Sequence, residues 1–240
     1  MLHTDLPQEG PGTDDATRDA LRRLPALPDE PVILDLGCGP GRQTLALAKE
    51  LNSPVTAIDF HQPYLDQLTA SAQEAGLNHL ITTRCASFDV LDFPESSVDL
   101  IWSEGAIYLL GFGGGLQQWR PMLKPDGLLV ASEITWLKPN PPEELEKFWN
   151  AGYPAMTNAA GNIQTAKAAG YTVLDHFTLP LNGWEQYMKP LEARIELLEP
   201  QQVSVDGLRE VLDEQRQEID LCRRYRDWFS YEFYLMQRTD

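Results

Sequence analysis

The chain has 240 residues, of which 42% are hydrophobic, and a formal net charge of −17 at pH 7. A chain of this length can bury one sizeable α/β core. The acidic balance argues against a nucleic-acid partner or a phospholipid surface, because both are bound through basic side chains. No apolar run approaches the roughly 18 residues that a membrane-spanning helix needs, and residues 1–12 do not resemble a signal peptide. The three cysteines lack metal-ligand spacing, so we expect a cytoplasmic protein with reduced thiols and no metal site.

Residues 31–134 alternate between short apolar runs and helical stretches. Five of the apolar runs are predicted β-strands, since each is short and is bounded by turn residues. In chain order these strands are Val32–Leu36, Pro54–Asp59, His79–Cys85, Val98–Ser103 and Gly127–Ile134. Strands separated by helices at this spacing indicate a parallel, doubly wound α/β sheet.

The alternation stops after residue 134. Helical stretches follow, together with two more predicted strands at Tyr171–Leu179 and Phe229–Gln237. We interpret the helices as a cap on a single domain, because no linker or internal repeat separates them from the sheet. The predicted organisation is an N-terminal cap or lid segment at 1–30, a ligand-binding core at 31–134, a helical cap with the sixth strand at 135–228, and the final strand at 229–240.

The glycine turn after the first strand is the strongest local signal for a binding site. Gly37 and Gly39 follow the buried strand directly, and a turn of this kind lets a ligand approach bare backbone. A dinucleotide site would carry a further glycine at the position of Arg42, so a nicotinamide-dependent oxidoreductase fails on spacing. Asp35, before the turn, would be unfavourable beside a pyrophosphate, while Asp59 at the end of the second strand is placed to accept both ribose hydroxyls. These residues predict a nucleoside ligand with a positive charge and no phosphate.

Five stretches, in order and at family spacing, resemble the motifs of class I S-adenosylmethionine-dependent methyltransferases. They are Asp35–Gly41, Ile58–Asp59, Ala86–Phe93, Ser97–Trp102 and Leu123–Leu129. Further stretches resemble a narrower set of bacterial small-molecule methyltransferases, namely Gly10–Thr13, Trp102–Tyr108, Ser132–Trp136 and Phe148–Trp149. The resemblance implies a Rossmann-like α/β fold with a seven-stranded, mostly parallel sheet whose last strand is antiparallel. It also implies a helical insertion that caps the active site. The first of the further stretches is then either a frayed tail or a lid over the cofactor.

The resemblance assigns cofactor contacts to positions of this chain. Residues near the methionine and ribose moieties would come from the glycine turn and the second strand, and residues near the adenine from the loop after the third strand. The set is Asp35, Gly37, Cys38, Gly39, Gln43, Asp59, Phe60, Ser87, Phe88 and Asp89. Many relatives carry an acidic residue where this chain has Ser87, so Asp89 or backbone groups are expected to supply that contact.

The implied activity is methyl transfer from S-adenosylmethionine to a small-molecule acceptor by in-line displacement. Such a reaction needs orientation and exclusion of water more than a nucleophile–base pair. Glu104 is the candidate to accept a proton, bind a cationic acceptor or complement the sulfonium; the alternative is that it orders the turn at Gly105. Tyr108 is the second candidate catalytic residue.

Aromatic side chains after residue 134 are the candidates for the acceptor pocket, since aromatic faces attract cations. The predicted set is Trp136, Trp149, Tyr153, Trp184 and Tyr187. The alternative for each of them is packing within the cap. An alternative for the whole protein is an S-adenosylmethionine-binding sensor without transferase activity. The partners expected are a small-molecule methyl acceptor and no nucleic acid or membrane, for a monomer or a homodimer.

Overall fold

The computed structural model describes residues 2–3, 6–88 and 90–239. Its β-strands are β1 Ile33–Leu36, β2 Val55–Asp59, β3 Ile81–Cys85, β4 Val98–Glu104, β5 Leu123–Trp136, β6 Thr157–Asn158, β7 Tyr171–Thr178 and β8 Phe229–Arg238. Its α-helices are α1 Asp14–Arg22, α2 Arg42–Leu51, α3 Gln62–Glu74, α4 Phe112–Trp119, α5 Glu143–Gly152, α6 Ala159–Ala168, α7 Leu181–Leu198 and α8 Leu208–Arg224. Short 3-10 turns lie at Ile107–Leu110, Arg120–Met122 and Glu199–Gln201. None of the helices in these described ranges is long and apolar enough to cross a membrane.

The sheet has the strand order β3-β2-β1-β4-β5-β8-β7. The pairs from β3 to β5 are parallel, and β8 is antiparallel to both β5 and β7. The seven-stranded, mostly parallel sheet with an antiparallel last strand is therefore confirmed, with the two-residue strand β6 added beside the end of β5. Because β1, β2, β4 and β5 run in the same direction, their carboxyl ends meet at one edge of the sheet, where ligands bind in open α/β folds.

Helices cover the central strands on both faces, which is why these strands are apolar throughout. Leu100 and Trp102 of β4 are fully buried on the face where Leu191 of α7 packs. Ile101, between them, is fully buried on the opposite face with Leu116 of α4. Alternate residues of one strand thus belong to two separate cores, as the side-chain period of two requires.

The observed boundaries differ most from the prediction at β5. This strand begins at Leu123, four residues before the predicted start, and Leu123 pairs with Val98 of β4. A bulge between Val98 and Leu100 shifts the register, and Asp126 adopts a left-handed φ of 61°. The turn residues near Asp126 are therefore part of an irregular but paired strand, which local turn propensity alone does not reveal.

Candidate functional site

A cavity of about 350 Å³ opens at the carboxyl ends of β1, β2 and β4. Its walls come from the glycine turn, the ends of these strands, the 3-10 turn after β4 and the N-terminal segment. The lining residues are His3, Gln8, Glu9, Gly10, Pro11, Gly37, Cys38, Gly39, Pro40, Arg42, Gln43, Asp59, Phe60, Tyr64, Phe88, Glu104, Gly105, Ala106, Tyr108 and Leu109. Most of the sequence-predicted cofactor residues are therefore brought together at one place.

The glycine turn leaves no room for a side chain at its first position. Gly37 has a φ of 73°, and a Cβ there would lie 2.3 Å from the Cβ of Ala106. The N–H groups of Gly37 and Cys38 both donate to the carbonyl of Ile58, at 2.8 and 3.1 Å. This position is fixed by the neighbouring strand on one side and by the segment after β4 on the other.

Asp59 links the turn to the next helix. Its Oδ2 accepts a hydrogen bond from Gly39 N at 2.9 Å, and its Oδ1 accepts one from His61 N at 2.9 Å. The residue is 5% exposed and lines the cavity, whereas Phe60 beside it is 62% exposed. The carboxylate thus faces the cavity while both oxygens also order the backbone around it.

Asp35 lies behind the turn and does not line the cavity. It accepts hydrogen bonds from Thr44 Oγ1 at 2.5 Å and from Gln43 Nε2 at 3.4 Å. Burial raises the pKa of this carboxyl to about 7. Gln43 does line the cavity and also donates to the carbonyl of Cys38 at 3.1 Å. Asp35 therefore lies behind the cavity wall, and Gln43 lies between Asp35 and the cavity.

The loop after β3 contributes fewer residues to the cavity wall than predicted. Phe88 is buried and lines the cavity, and Trp119 fixes it through an edge-on ring contact at 6.1 Å and a hydrogen bond to its carbonyl. Ser87 is exposed and does not line the cavity. Asp89 lies outside the described residues.

Glu104 lines the cavity, but its carboxylate already has three partners. Arg42 Nη2 lies 2.5 Å from Oε2, while Thr17 Oγ1 and Trp102 Nε1 donate to Oε1 at 2.7 and 2.8 Å. The carboxylate is 4% exposed and joins α1, α2 and β4. Its role as a proton acceptor stays a prediction; what the contacts show is a buried ion pair that holds the N-terminal helix against the site.

We expect Glu104→Gln to lower the free energy of unfolding by about 2–4 kcal/mol, because it leaves Arg42 largely buried without its main counter-charge. Urea unfolding at pH 7 measures this change. The matched control is Asp14→Asn, since Asp14 contacts the same guanidinium at 3.4 Å but is about half exposed; its loss is expected to stay below about 1 kcal/mol. Equal losses for the two variants would contradict a buried Glu104–Arg42 pair.

A second cavity, of about 290 Å³, adjoins the first. The two share wall residues of the N-terminal segment together with Gly105 and Tyr108. The residues lining the second cavity are Glu9, Gly10, Pro11, Gly105, Tyr108, Ile134, Phe148, Trp149, Gly152, Tyr153, Trp184, Tyr187, Glu218 and Tyr231. Tyr108 therefore stands at the junction of both spaces.

The aromatic set predicted for an acceptor pocket divides in the structure. Trp149, Tyr153, Trp184 and Tyr187 line the second cavity. Trp136 does not; its ring packs edge-on against Phe229, its partner across the β5–β8 pair, at 6.5 Å.

Several lining residues of the second cavity were not among those predicted for an acceptor pocket. Phe148, Glu218 and Tyr231 are three of them. The neighbours of Glu218 in α8 are charged and of mixed sign, a pattern that is typical of a solvated helix face. The aromatic character of Phe148 was the available signal for that residue, and Tyr231 lies in a strand that reads as core.

The N-terminal segment crosses both cavities. Gln8 Nε2 donates to the carbonyls of Gly10 and Gly12, at 2.9 and 3.3 Å, which makes a compact turn. Gly12 N in turn donates to the carbonyl of Gly183 in α7 at 3.3 Å. The segment is ordered against the cap, and its function as a moving lid stays a prediction.

Glu133 is a buried carboxyl beside the second cavity. It is 2% exposed, its Oε2 has no hydrogen-bond partner in the part of the chain that the structure describes, and the hydroxyl of Tyr153 donates to the carboxyl. Burial raises the pKa of Glu133 to about 8, although the Tyr153 hydrogen bond opposes the shift. Tyr153 itself contacts Tyr108, with ring centroids 6.0 Å apart.

Comparison with known proteins agrees with this geometry. Residues 33–127 match the sequence profile of a family described as a methyltransferase domain. An uncharacterized methyltransferase of Bacillus subtilis (strain 168), YodH, is 33% identical over 138 residues, 58% of each chain. A dimethylglycine N-methyltransferase of Parasynechococcus marenigrum (strain WH8102) is 34% identical over 108 residues, 45% of this chain and 39% of that protein. The chain thus spans about half the length of the curated relatives it matches.

The fold recurs over nearly the whole chain in solved structures. A SAM-dependent methyltransferase from Geobacter sulfurreducens, solved with S-adenosyl-L-homocysteine, superimposes with a TM-score of 0.84 at 18% identity. The match covers 99% of this chain and 96% of that one. The resemblance drawn from the sequence motifs is confirmed: the chain contains a methyltransferase domain and has the fold of the class I S-adenosylmethionine-dependent methyltransferases.

Proposed function

We propose that this protein is an S-adenosylmethionine-dependent methyltransferase that acts on a small-molecule acceptor. The observation that carries the proposal is the pair of adjoining cavities at the carboxyl edge of the sheet. The first cavity is lined mainly by residues of the matched methyltransferase domain, the second largely by residues of the cap, and the N-terminal segment contributes to both. A donor site and an acceptor site need this kind of shared boundary for direct transfer.

The first cavity fits S-adenosylmethionine better than a phosphate-bearing cofactor. The close approach of Gly37 to Ala106 leaves bare backbone on the cavity wall, and Asp59 presents a carboxylate there. The basic side chains among the described lining residues already face carboxylates: Arg42 is paired with Glu104, and His3 Nδ1 lies 2.7 Å from Glu9 Oε2. A pyrophosphate would meet no free cation on these residues.

Within the proposed site, Asp59 would hold the ribose hydroxyls and Phe60 and Phe88 would lie against the adenine. The glycine turn and Gln43 would bind the amino-acid portion. S-adenosylmethionine, when bound, supplies a methyl group activated by its sulfonium. The residues of the shared boundary, Tyr108 and Gly105 among them, would orient the acceptor and exclude water. None of these tasks requires Glu104 to leave its ion pair.

The second cavity favours an enzyme over a sensor. A sensor without transferase activity would need no open space beside the methyl group, and Trp136 or Trp184 could fill that space. Trp136 instead packs on Phe229, and Trp184 forms a wall of the second cavity, where its Nε1 donates to Ser230 Oγ at 3.0 Å. A space of about 290 Å³ lies beside the proposed cofactor site.

We further propose that the protein functions as one domain in the cytoplasm, as a monomer or homodimer without nucleic-acid or membrane partners. The support is chemical. The net charge of −17 disfavours polyanionic partners, and the cysteines Cys38, Cys85 and Cys222 are all free thiols.

Titration calorimetry with S-adenosylmethionine and S-adenosylhomocysteine tests the proposed cofactor. We expect micromolar-range binding by the parent protein and at least tenfold weaker binding by Asp59→Ala, about 1.4 kcal/mol, because the substitution removes both the ribose contact and the support of Gly39. Asp66→Ala, which removes an exposed carboxylate from α3, is the control and should bind like the parent. Absence of binding by the parent would refute the proposal, and unchanged binding by Asp59→Ala would refute the ribose contact.

A further inference from the structure

Acidic and aromatic side chains together line the second cavity. Its ionisable carboxylates are Glu9 and Glu218, and no Lys, Arg or His lines it among the described residues. Glu9 already contacts His3 Nδ1 at 2.7 Å, so the negative charge that a small acceptor would meet there comes mainly from Glu218. An acceptor with its own carboxylate would be repelled, while one with a positive charge would be attracted.

Glu218 lies close enough to the tyrosines of the cavity to influence their ionisation. Burial and then the nearby Glu218 carboxylate raise the pKa of Tyr187 above its ordinary value. Burial and Glu218 likewise raise the pKa of Tyr108, and burial raises that of the partly buried Tyr231, with Glu218 among the smaller causes. Burial also raises the pKa of Glu218 itself, so a cation placed beside it would stabilise the ionised carboxylate.

Aromatic faces supply the rest of the wall. Trp149, Trp184 and Tyr187 line the cavity, and ring contacts with Phe229 at 5.1 and 5.5 Å hold the two tryptophans in place. The cation–π contacts that the protein's own side chains make in the described residues use Phe177, Phe93, Trp228 and Tyr225, none of which lines this cavity.

One polar group of the cavity has no partner. The Nε1–H of Trp149 is buried and makes no hydrogen bond within the described residues. An unsatisfied buried donor is unfavourable, and a hydrogen bond to a ligand oxygen would remove this cost. The cavity thus offers carboxylates and aromatic faces, and no cationic side chain of the described residues lines it.

We propose that the second cavity binds the acceptor as a cationic amine without a carboxylate, held by the Glu218 carboxylate and the faces of Trp149, Trp184 and Tyr187. This inference rests on the proposed methyltransferase function and names its substrate class. Before transfer, a protonated amine gives up its proton to Glu218. Its nitrogen lone pair then forms the new bond to the methyl carbon as the carbon–sulfur bond breaks with its electron pair on sulfur, so the positive charge moves to nitrogen. The cavity that attracts the cationic acceptor also stabilises the charge gained in the reaction.

The affinities of three probes of similar size distinguish the effect of the ligand's charge from that of its shape. They are choline, its neutral isostere 3,3-dimethyl-1-butanol, and glycine betaine, which keeps the cation but adds a carboxylate. Calorimetry and quenching of tryptophan fluorescence, with S-adenosylhomocysteine present, give their affinities. We expect choline to bind at least tenfold more tightly than either of the other two.

Glu218→Gln should reduce the choline affinity at least fivefold while leaving S-adenosylhomocysteine binding unchanged. Glu214→Gln, one turn earlier in α8, removes an exposed charge and should change neither value. Equal affinity for choline and its neutral isostere, tighter binding of betaine, or no choline binding by protein that binds S-adenosylhomocysteine would overturn the inference. Failure to bind S-adenosylhomocysteine would instead refute the proposed function on which it rests.

Discussion

Replacing Gly37 with alanine is expected to reduce S-adenosylhomocysteine binding more than a hundredfold and to destabilise the fold by about 2–5 kcal/mol. The left-handed φ of 73° costs an L-residue about 1–2 kcal/mol, and a Cβ only 2.3 Å from that of Ala106 adds an overpacking cost of about 1–3 kcal/mol. The backbone is held in place because the N–H of Gly37 donates a hydrogen bond to the carbonyl of Ile58 at 2.8 Å. Any relief must therefore displace the cavity wall itself.

Gly76→Ala is the matched control for this prediction. Gly76 has a similar φ of 69°, but a Cβ there would meet nothing within 4 Å. Its substitution should destabilise the fold only by the conformational cost, about 1–2 kcal/mol, and should leave cofactor binding unchanged. Urea unfolding and calorimetry on both variants separate the two costs, and a Gly37→Ala variant that behaves like Gly76→Ala would show that the contact with Ala106 does not constrain the turn.

The sequence allowed the cofactor side of the site to be predicted because its signals are local. The strand, the glycine turn and the following helix are contiguous, so the chemistry of Gly37 and Gly39 follows from about ten residues. Asp59 was predictable because parallel strands end at a common edge, which brings its carboxylate to the turn without further information. Asp35 was assigned to the ligand from its position in the motif, yet burial puts it behind Gln43.

The acceptor side depends on contacts between distant segments, which local patterns do not specify. Glu104 contacts Arg42 and Thr17, which lie 62 and 87 residues away in the chain, so the residue predicted as a proton acceptor also forms an ion pair that the local sequence does not reveal. Trp136 ends β5 and was expected in the pocket. Because it pairs with Phe229 of β8, its ring packs against the core instead. Glu218 lies among charged neighbours, and only the packing of α8 beside the cap places it on the cavity wall.

Glu133 is expected to make the stability of the protein fall as the pH rises. Its pKa is about 8 in the folded chain, against an ordinary value of 4.5, because burial disfavours the charged carboxylate. Between these two values the unfolded chain has released the proton and the folded chain still holds it. The unfolded state therefore binds fewer protons, and the free energy of unfolding decreases with pH in this window.

The size of the effect follows from the width of the window. A shift of this extent corresponds to about 3–5 kcal/mol, present in full below about pH 4.5 and lost by the time the pH has passed about 8. Glu133→Gln keeps a neutral side chain that can accept the Tyr153 hydrogen bond at every pH. The variant should therefore match the parent within about 1 kcal/mol at pH 5 and exceed its stability by about 2–4 kcal/mol at pH 9.

Urea unfolding of parent and variant at pH 5, 7 and 9 measures this difference directly. Asp35, whose pKa is raised to about 7, titrates in both proteins and cancels in the comparison. Glu95→Gln, at an exposed position, is the control and should follow the parent at all three values. A constant difference between Glu133→Gln and the parent across this range would contradict a neutral Glu133. If the difference grows with pH as expected, Glu133 is held uncharged beneath Tyr153, and the charge that attracts an acceptor comes from Glu218 on the cavity wall and not from the sheet below it.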